Sequence, residues 1–112
     1  MRRTSRASSR SPAVTPYRGW VMYPGSFDPV TYGHIDLIRR ALKIFPGVLV
    51  AVAQNPEKQP LLTLAERVAM LTKATHGIRR VVVESFNALT VTHAEAQGIT
   101  TIVRGVRQVT DF

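Results

Sequence analysis

Six consecutive apolar residues, Val48-Leu49-Val50-Ala51-Val52-Ala53, leave this stretch of chain no polar face to turn toward water. A strand of that composition is stable only when both faces are covered, the condition met in a parallel sheet with helices packed on it. The flanking sequence supplies the helices. Ile35, Ile38, Leu42 and Phe45 fall on one helical stripe within residues 33–45, and Pro46-Gly47 ends it. After the polar stretch 54–60, Thr63-Leu64-Ala65-Glu66 has the form of a capping box, in which the threonine oxygen and the glutamate each satisfy an otherwise orphan backbone N–H. Leu64, Val68 and Leu71 then form the apolar stripe of the second helix.

The alternation extends in both directions. Trp20 to Tyr23 reads as a first buried strand, and Arg80 to Glu84 holds a third strand built on Val81-Val82-Val83. Leu89 to Gln97 predicts a shorter helix closed by Gly98, and Thr100 to Val103 a fourth strand. Strands and helices in this order predict an α/β fold with a Rossmann-like, doubly wound parallel sheet and right-handed crossovers, formed by residues 19–112. The chain reaches Phe112 where a helix should follow the fourth strand, so the expectation is that its last unit is cut off.

The formal net charge of +8 looks like a nucleic-acid signal until it is divided along the chain. Residues 1–18 carry five arginines and no acid, a charge of +5, and residues 19–112 carry only +3. The leader, rich in Ser, Arg and Pro, has almost nothing to bury and is expected to be disordered; it shares composition with organelle transit peptides but has no convincing amphipathic helix and no catalytic role. With a mildly basic domain and no aromatic stacking stripe, a nucleic-acid partner is not expected. No stretch approaches the apolar length of a membrane span, so no membrane partner is expected either. The absence of cysteine excludes disulfides, thiolate metal sites and a cysteine nucleophile, and suits a cytoplasmic enzyme.

In doubly wound sheets, ligands sit outside the carboxyl ends of the strands, where the strand order reverses. Gly25, Ser26, Phe27 and His34 follow the first strand, Lys58 the second, the segment Ser85 to Thr90 the third, and Arg104, Gly105, Val106 and Arg107 the fourth. The first of these connections, Tyr23-Pro24-Gly25-Ser26-Phe27-Asp28-Pro29-Val30-Thr31-Tyr32-Gly33-His34, is longer than a plain strand-to-helix link requires. Taken singly, Gly33-His34 is an ordinary helix start, and Lys58, Arg104 and Arg107 are ordinary solvated charges. Together on one rim, beside a helix N-terminus, they point to an anionic, phosphate-bearing ligand, which Gly25 and Gly33 would allow close to the backbone. No nucleophile with an adjacent base is visible, so phosphoryl or nucleotidyl transfer, which needs positioning and charge neutralisation, fits best. His76 and His93 lie on helices away from this rim and read as structural or surface residues.

Thr31-Tyr32-Gly33-His34 resembles the TxGH element of the nucleotidylyltransferases, itself similar to the HIGH motif of class I aminoacyl-tRNA synthetases. With Asn55-Pro56-Glu57-Lys58, Thr63-Leu64-Ala65-Glu66-Arg67-Val68 and Ile102-Val103-Arg104-Gly105-Val106-Arg107, the chain resembles the bacterial phosphopantetheine adenylyltransferase family over residues 20–112. The resemblance implies AMP transfer from ATP to 4′-phosphopantetheine, with Mg²⁺ accompanying the ATP and no metal held by protein ligands. It further implies that His34 contacts the α-phosphate and stabilises the transition state, and that Ser26 and Phe27 hold ATP. Gly105, Val106 and Arg107 would complete the nucleotide site; Lys58, Thr90 and Arg104, with Ser26, would line the acceptor site. Thr31 would brace the helix start as an N-cap. The family's homo-oligomer is a hexamer, and its members continue past the Thr110-Asp111-Phe112 equivalent with an acidic helix and a serine-rich motif. Two rival readings are a related nucleotidylyltransferase with another phosphorylated acceptor and an inactive, truncated nucleotide-binding paralogue.

Overall fold

A computed structural model describes residues 17–54 and 59–104. Their elements run β1 (Val21–Gly25), α1 (Tyr32–Ala41), β2 (Val48–Ala53), α2 (Leu64–Ala74), β3 (Val81–Phe86), α3 (Ala88–Ala96) and β4 (Thr101–Ile102). The strands form one four-stranded sheet in the order β3-β2-β1-β4, and every pairing in it is parallel. Strand order therefore reverses between β1 and β4, the doubly wound arrangement expected from the sequence.

The apolar run of β2 divides between the two faces of the sheet because successive strand residues point to opposite sides. Val48, Val50 and Val52 join Val21 and Tyr23 of β1 against Ile38 and Ala41 of α1 and Leu71 of α2. Leu49 and Ala51 join Met22 of β1 against Ala94 of α3 and Ile99 on the opposite face. All five β2 residues from Val48 to Val52 are fully buried. Helices α1 and α2 thus cover one face and α3 the other, which is what an all-apolar strand requires.

Local signals set the helix ends. Thr31 and Thr63 are the N-caps of α1 and α2, each in a complete capping box, and Gly98, at a φ of +98°, follows α3 in the left-handed region that a glycine tolerates. Helix α1 stops at Ala41 and does not reach Phe45 as the apolar spacing predicts. Pro46 disfavours helical backbone in the residue before it, and the chain turns, with the Phe45 N–H donating to the Ala41 carbonyl at 2.8 Å. Leu42 and Phe45 still pack against the core from that turn. On the solvent side of α1, Asp36 and Arg40 form an exposed ion pair at 3.0 Å. Such pairs contribute only about 0.3–0.5 kcal/mol, so burial of Ile38 and its neighbours is what sustains the helix.

Three strands differ in extent from expectation. β1 continues through Pro24 and Gly25, which pair with Ala51 and Val52 of β2. β4 pairs only with Val21 and Met22, so among the described residues β1 has a neighbour on one side alone from Tyr23 onward, where a proline is tolerated in a strand. β3 begins at Val81 and extends to Phe86, and β4 is limited to Thr101 and Ile102.

Gly47 does more than end the α1 connection. A Cβ placed on it would lie 2.1 Å from the Trp20 indole, while its carbonyl accepts the Val21 N–H that opens β1 at 3.1 Å. Trp20 is thus seated directly on a residue with no side chain. Gly47→Ala is expected to force the indole aside and cost about 1–3 kcal/mol, the usual penalty of overpacking, read as a lower denaturation midpoint with an unchanged m-value. An unchanged midpoint would show that Trp20 moves freely.

Candidate functional site

Beyond Gly25 the chain enters its most constrained stretch. Phe27 occupies the left-handed region, at a φ of +51°, and is only 2% exposed. Its ring folds back edge-on to Tyr23, with centroids 5.2 Å apart, and to His34, at 4.8 Å. A Cβ on Gly25 would meet this ring at 3.0 Å. The space opened by Gly25 is therefore used by Phe27 and not by a ligand, and Phe27 supports the site from within. Gly33 is different: among the described residues a Cβ there would meet only the Thr31 Oγ1, at an ordinary 3.6 Å, so no contact among them requires a glycine. An approaching phosphate would.

His34 is the third residue of α1 and completes the capping box begun by Thr31. The Thr31 hydroxyl oxygen accepts the His34 N–H at 3.3 Å, and the Thr31 backbone N–H donates to His34 Nδ1 at 2.9 Å. Thr31 Oγ1 also lies 3.1 Å from Nδ1. A backbone N–H can only donate, so Nδ1 accepts, and the neutral imidazole carries its proton on Nε2. Histidine here takes the place that Glu or Gln has in an ordinary capping box, and the bond that starts the helix also fixes the ring's tautomer and its orientation. The threonine acts as the N-cap expected from sequence.

A cavity of about 300 Å³ opens at the carboxyl ends of β1 and β4, where the strand order reverses; Pro24, Gly25, Ser26, Ala53, Phe86 and Arg104 line it. Ser26 and Arg104, predicted from opposite ends of the sequence, meet here. Thr90 does not line it. It borders a neighbouring open groove of about 680 Å³ with Val68, Val83 and Glu84, and its hydroxyl donates to the Ser85 carbonyl at 2.8 Å within the α3 cap formed by Asn87. Lys58, Gly105, Val106 and Arg107 lie outside the described residues. His93, on α3, and His76, in the turn after α2 and not on the helix itself, are both exposed.

Two charged residues at this edge were not singled out from sequence. Arg67 is 96% buried by its 4% exposure and donates through Nη1 to the carbonyls of Ser26 and Ala53, each at 2.9 Å, and through Nε to the Leu62 carbonyl at 3.2 Å. Asp28 accepts the Leu61 N–H at 2.7 Å and the Leu62 N–H at 2.8 Å. Together they tie the segment after β1 to the end of β2 and to the lead-in of α2. A signal for Arg67 existed: it shares the α2 stripe with Leu64, Val68 and Leu71, where a charge is costly to bury unless paired or hydrogen-bonded. Asp28 had none, because its partners lie more than thirty residues away in sequence.

Among known proteins, the cytidylyltransferase-like family profile matches residues 22–112. The phosphopantetheine adenylyltransferase of Heliobacterium modesticaldum is 53% identical over 91 residues, covering 81% of this chain and 54% of that protein. Those of Gloeobacter violaceus and Campylobacter curvus are 50% and 47% identical over the same length, with 56% and 58% of their own chains covered. The chain thus spans just over half the length of these relatives. In structure it is similar to NadR in complex with NAD and AMP-PNP, with a TM-score of 0.64 at 18% identity over 78% of this chain and 30% of that one. It is likewise similar to the Plasmodium falciparum nicotinic acid mononucleotide adenylyltransferase complexed with NaAD, with a TM-score of 0.62 at 18% identity, covering 84% of this chain and 55% of that one. At that identity the likeness concerns the fold.

Thr31→Ala removes the N-cap and one of the contacts on the His34 ring, and is expected to cost about 0.5–2 kcal/mol of stability. His34→Gln keeps an acceptor at the third helical position, and its stability should stay within about 0.5 kcal/mol of the parent. Thermal unfolding of both variants checks the pair; equal losses would show that glutamine does not replace the imidazole in the cap. Burial raises the Tyr23 phenol above its ordinary 10.0. The folded state then holds a proton that the unfolded state has released, so stability falls as pH rises above about 10. Tyr23→Phe should flatten that alkaline decline, measured as midpoint against pH.

Proposed function

The chain belongs to the cytidylyltransferase-like family, and from that premise we propose that the protein transfers AMP from ATP to 4′-phosphopantetheine, giving dephospho-coenzyme A and pyrophosphate, the penultimate step of coenzyme A synthesis. The observation that carries the reading is a cap-held histidine at the first turn of α1, next to the strand-order reversal, in a chain about half identical to phosphopantetheine adenylyltransferases. Sequence relatives, and not the structural neighbours, favour this acceptor over another phosphorylated one.

The chemistry asks little of the protein in covalent terms. A phosphate oxygen of the acceptor attacks the α-phosphorus of ATP, the new P–O bond forms as the α–β bridge breaks, and pyrophosphate leaves in line. Charge shifts onto the α-phosphate oxygens and the leaving bridge oxygen, and donors already aimed at them lower the barrier. His34 would donate its Nε2 proton in a hydrogen bond to an α-phosphate oxygen, with Nδ1 held by Thr31 so that the ring does not reorient during the reaction. The N-terminal end of α1 adds its dipole and its backbone N–H groups, with Gly33 leaving room for the phosphates. Ser26 would contact nucleotide and acceptor from the end of β1, with Phe27 beneath it fixing the turn.

Arg104 would draw the acceptor's phosphate toward the reversal of strand order. Lys58, Gly105, Val106 and Arg107 would complete the two subsites, and Thr90, its hydroxyl engaged in the α3 cap, would offer its methyl group to the acceptor arm. No three His, Asp or Glu side chains stand together as a metal-binding group among the described residues. Magnesium, which prefers phosphate oxygens and water to an all-protein cage, would travel with ATP and neutralise its phosphates. Among the described residues no helix is long and apolar enough to cross a membrane. A cytoplasmic homo-oligomer, hexameric as in the family, completes the reading.

His34→Ala in the complete protein should lower kcat on the order of a hundredfold or more, the usual loss when one transition-state donor is removed, while ATP affinity changes only a few-fold. Pyrophosphate release in a coupled assay with ATP and 4′-phosphopantetheine checks it. A variant with near-normal kcat would overturn the role given to His34, and a parent enzyme that releases no pyrophosphate with this acceptor would overturn the acceptor.

A further inference from the structure

Arg67 is an anomaly on the helix that carries it. Leu64, Val68 and Leu71 form the apolar stripe of α2, and a leucine at position 67 would extend it at far less desolvation cost than a buried guanidinium. What arginine provides there and leucine cannot is geometry. One nitrogen, Nη1, donates to the carbonyls of both Ser26 and Ala53, at 2.9 Å each, and Nε donates to Leu62 at 3.2 Å. Ser26 follows the last residue of β1 and Ala53 is the last residue of the adjacent parallel strand β2, and both line the cavity at the sheet's carboxyl edge.

We propose that Arg67 is a positioning residue for the nucleotide pocket: its guanidinium sets the spacing of Ser26 and Ala53, and so the width of the cavity floor on which the nucleotide rests. The inference rests on the proposed reading of Ser26, which lines that cavity, as a residue of the nucleotide site. Ser26 and Ala53 lie one residue beyond the last β1–β2 register pair, Gly25↔Val52, where the ladder between these two strands gives out, while Ala53 is paired on its other side with Phe86 of β3. The two hydrogens of one planar nitrogen, Nη1, hold both carbonyls at once, while Nε of the same rigid fork holds the Leu62 carbonyl. Asp28 completes the arrangement by holding the Leu61 and Leu62 N–H groups, so that Leu62, bonded to both residues, locks the α2 lead-in to the same point. Lysine has one donor centre on a flexible stem and cannot reproduce the fork's fixed separation of Nε and Nη1.

The test uses Arg67→Lys and Arg67→Met in the complete protein. Amide ¹H–¹⁵N shifts of Ser26, Phe27 and Gln54 report the brace without any ligand, and the Kd of a non-hydrolysable ATP analogue reports the pocket. The expected result is shifted amides in both variants, with Kd and the KM for ATP raised tenfold or more by Met and less by Lys. Loss of folded protein alone lowers Vmax and leaves KM where it was, so the KM shift separates positioning from simple support. If Met does not fold, Lys carries the test at a Kd raised threefold or more. Shifted amides with a Kd within twofold of the parent would overturn the inference and leave the ATP site standing, as would unshifted amides. A parent protein that binds no ATP analogue would overturn the ATP-site reading, and the inference with it.

Discussion

The parallel pairing of β1, with β2 along its length and with β4 at its first two residues, is the constraint on which the rest of this structure depends. It puts β1 at the point where the order of strands reverses, the place at which doubly wound sheets hold their ligands. It also obliges both faces of the sheet to be covered, which α1 and α2 do on one side and α3 on the other. Val48 to Val52 can be wholly apolar only because of that double cover.

From that position the site follows by short steps. Phe27 turns back over Gly25 and fills the space beneath the loop, and His34 packs against its edge. Thr31 starts α1 and holds the imidazole through the same bonds. A single reciprocal cap thus serves helix initiation, ring orientation and proton placement. Economy of this kind explains why the element is compact in sequence: Thr31 and His34 must be three residues apart because the third helical position is the one that reaches back to the cap.

Much of this was legible before any coordinates. Thr63 and Glu66 announced α2, Gly98 closed α3, the valine-rich run gave β2 at its observed limits, and Ser26 and Arg104 met where the strand logic put them. Local hydrogen-bond chemistry determines each of these, so a few neighbouring residues suffice to read them. What escaped was long-range. Gly25 read as ligand clearance until Phe27 was seen folded over it, and Gly47 as a helix stop until Trp20 was seen resting on it. Arg67 and Asp28 reach partners across the fold, and neither periodicity nor spacing carries that information. The extra residues of β1 and β3 depend likewise on neighbours supplied by other strands.

The most direct measurement is ¹⁵N NMR of the imidazole nitrogens of His34 in the ligand-free protein at neutral pH, compared with Thr31→Ala. A capping box that holds the ring requires a proton on Nε2 and a bare, accepting Nδ1, and the same tautomer in Thr31→Ala, which loses the hydroxyl but keeps the backbone N–H that donates to Nδ1. An Nδ1 that carries the proton, or a mixture of the two tautomers in the parent protein, would contradict it, because the backbone N–H of Thr31 would then have no acceptor in the ring.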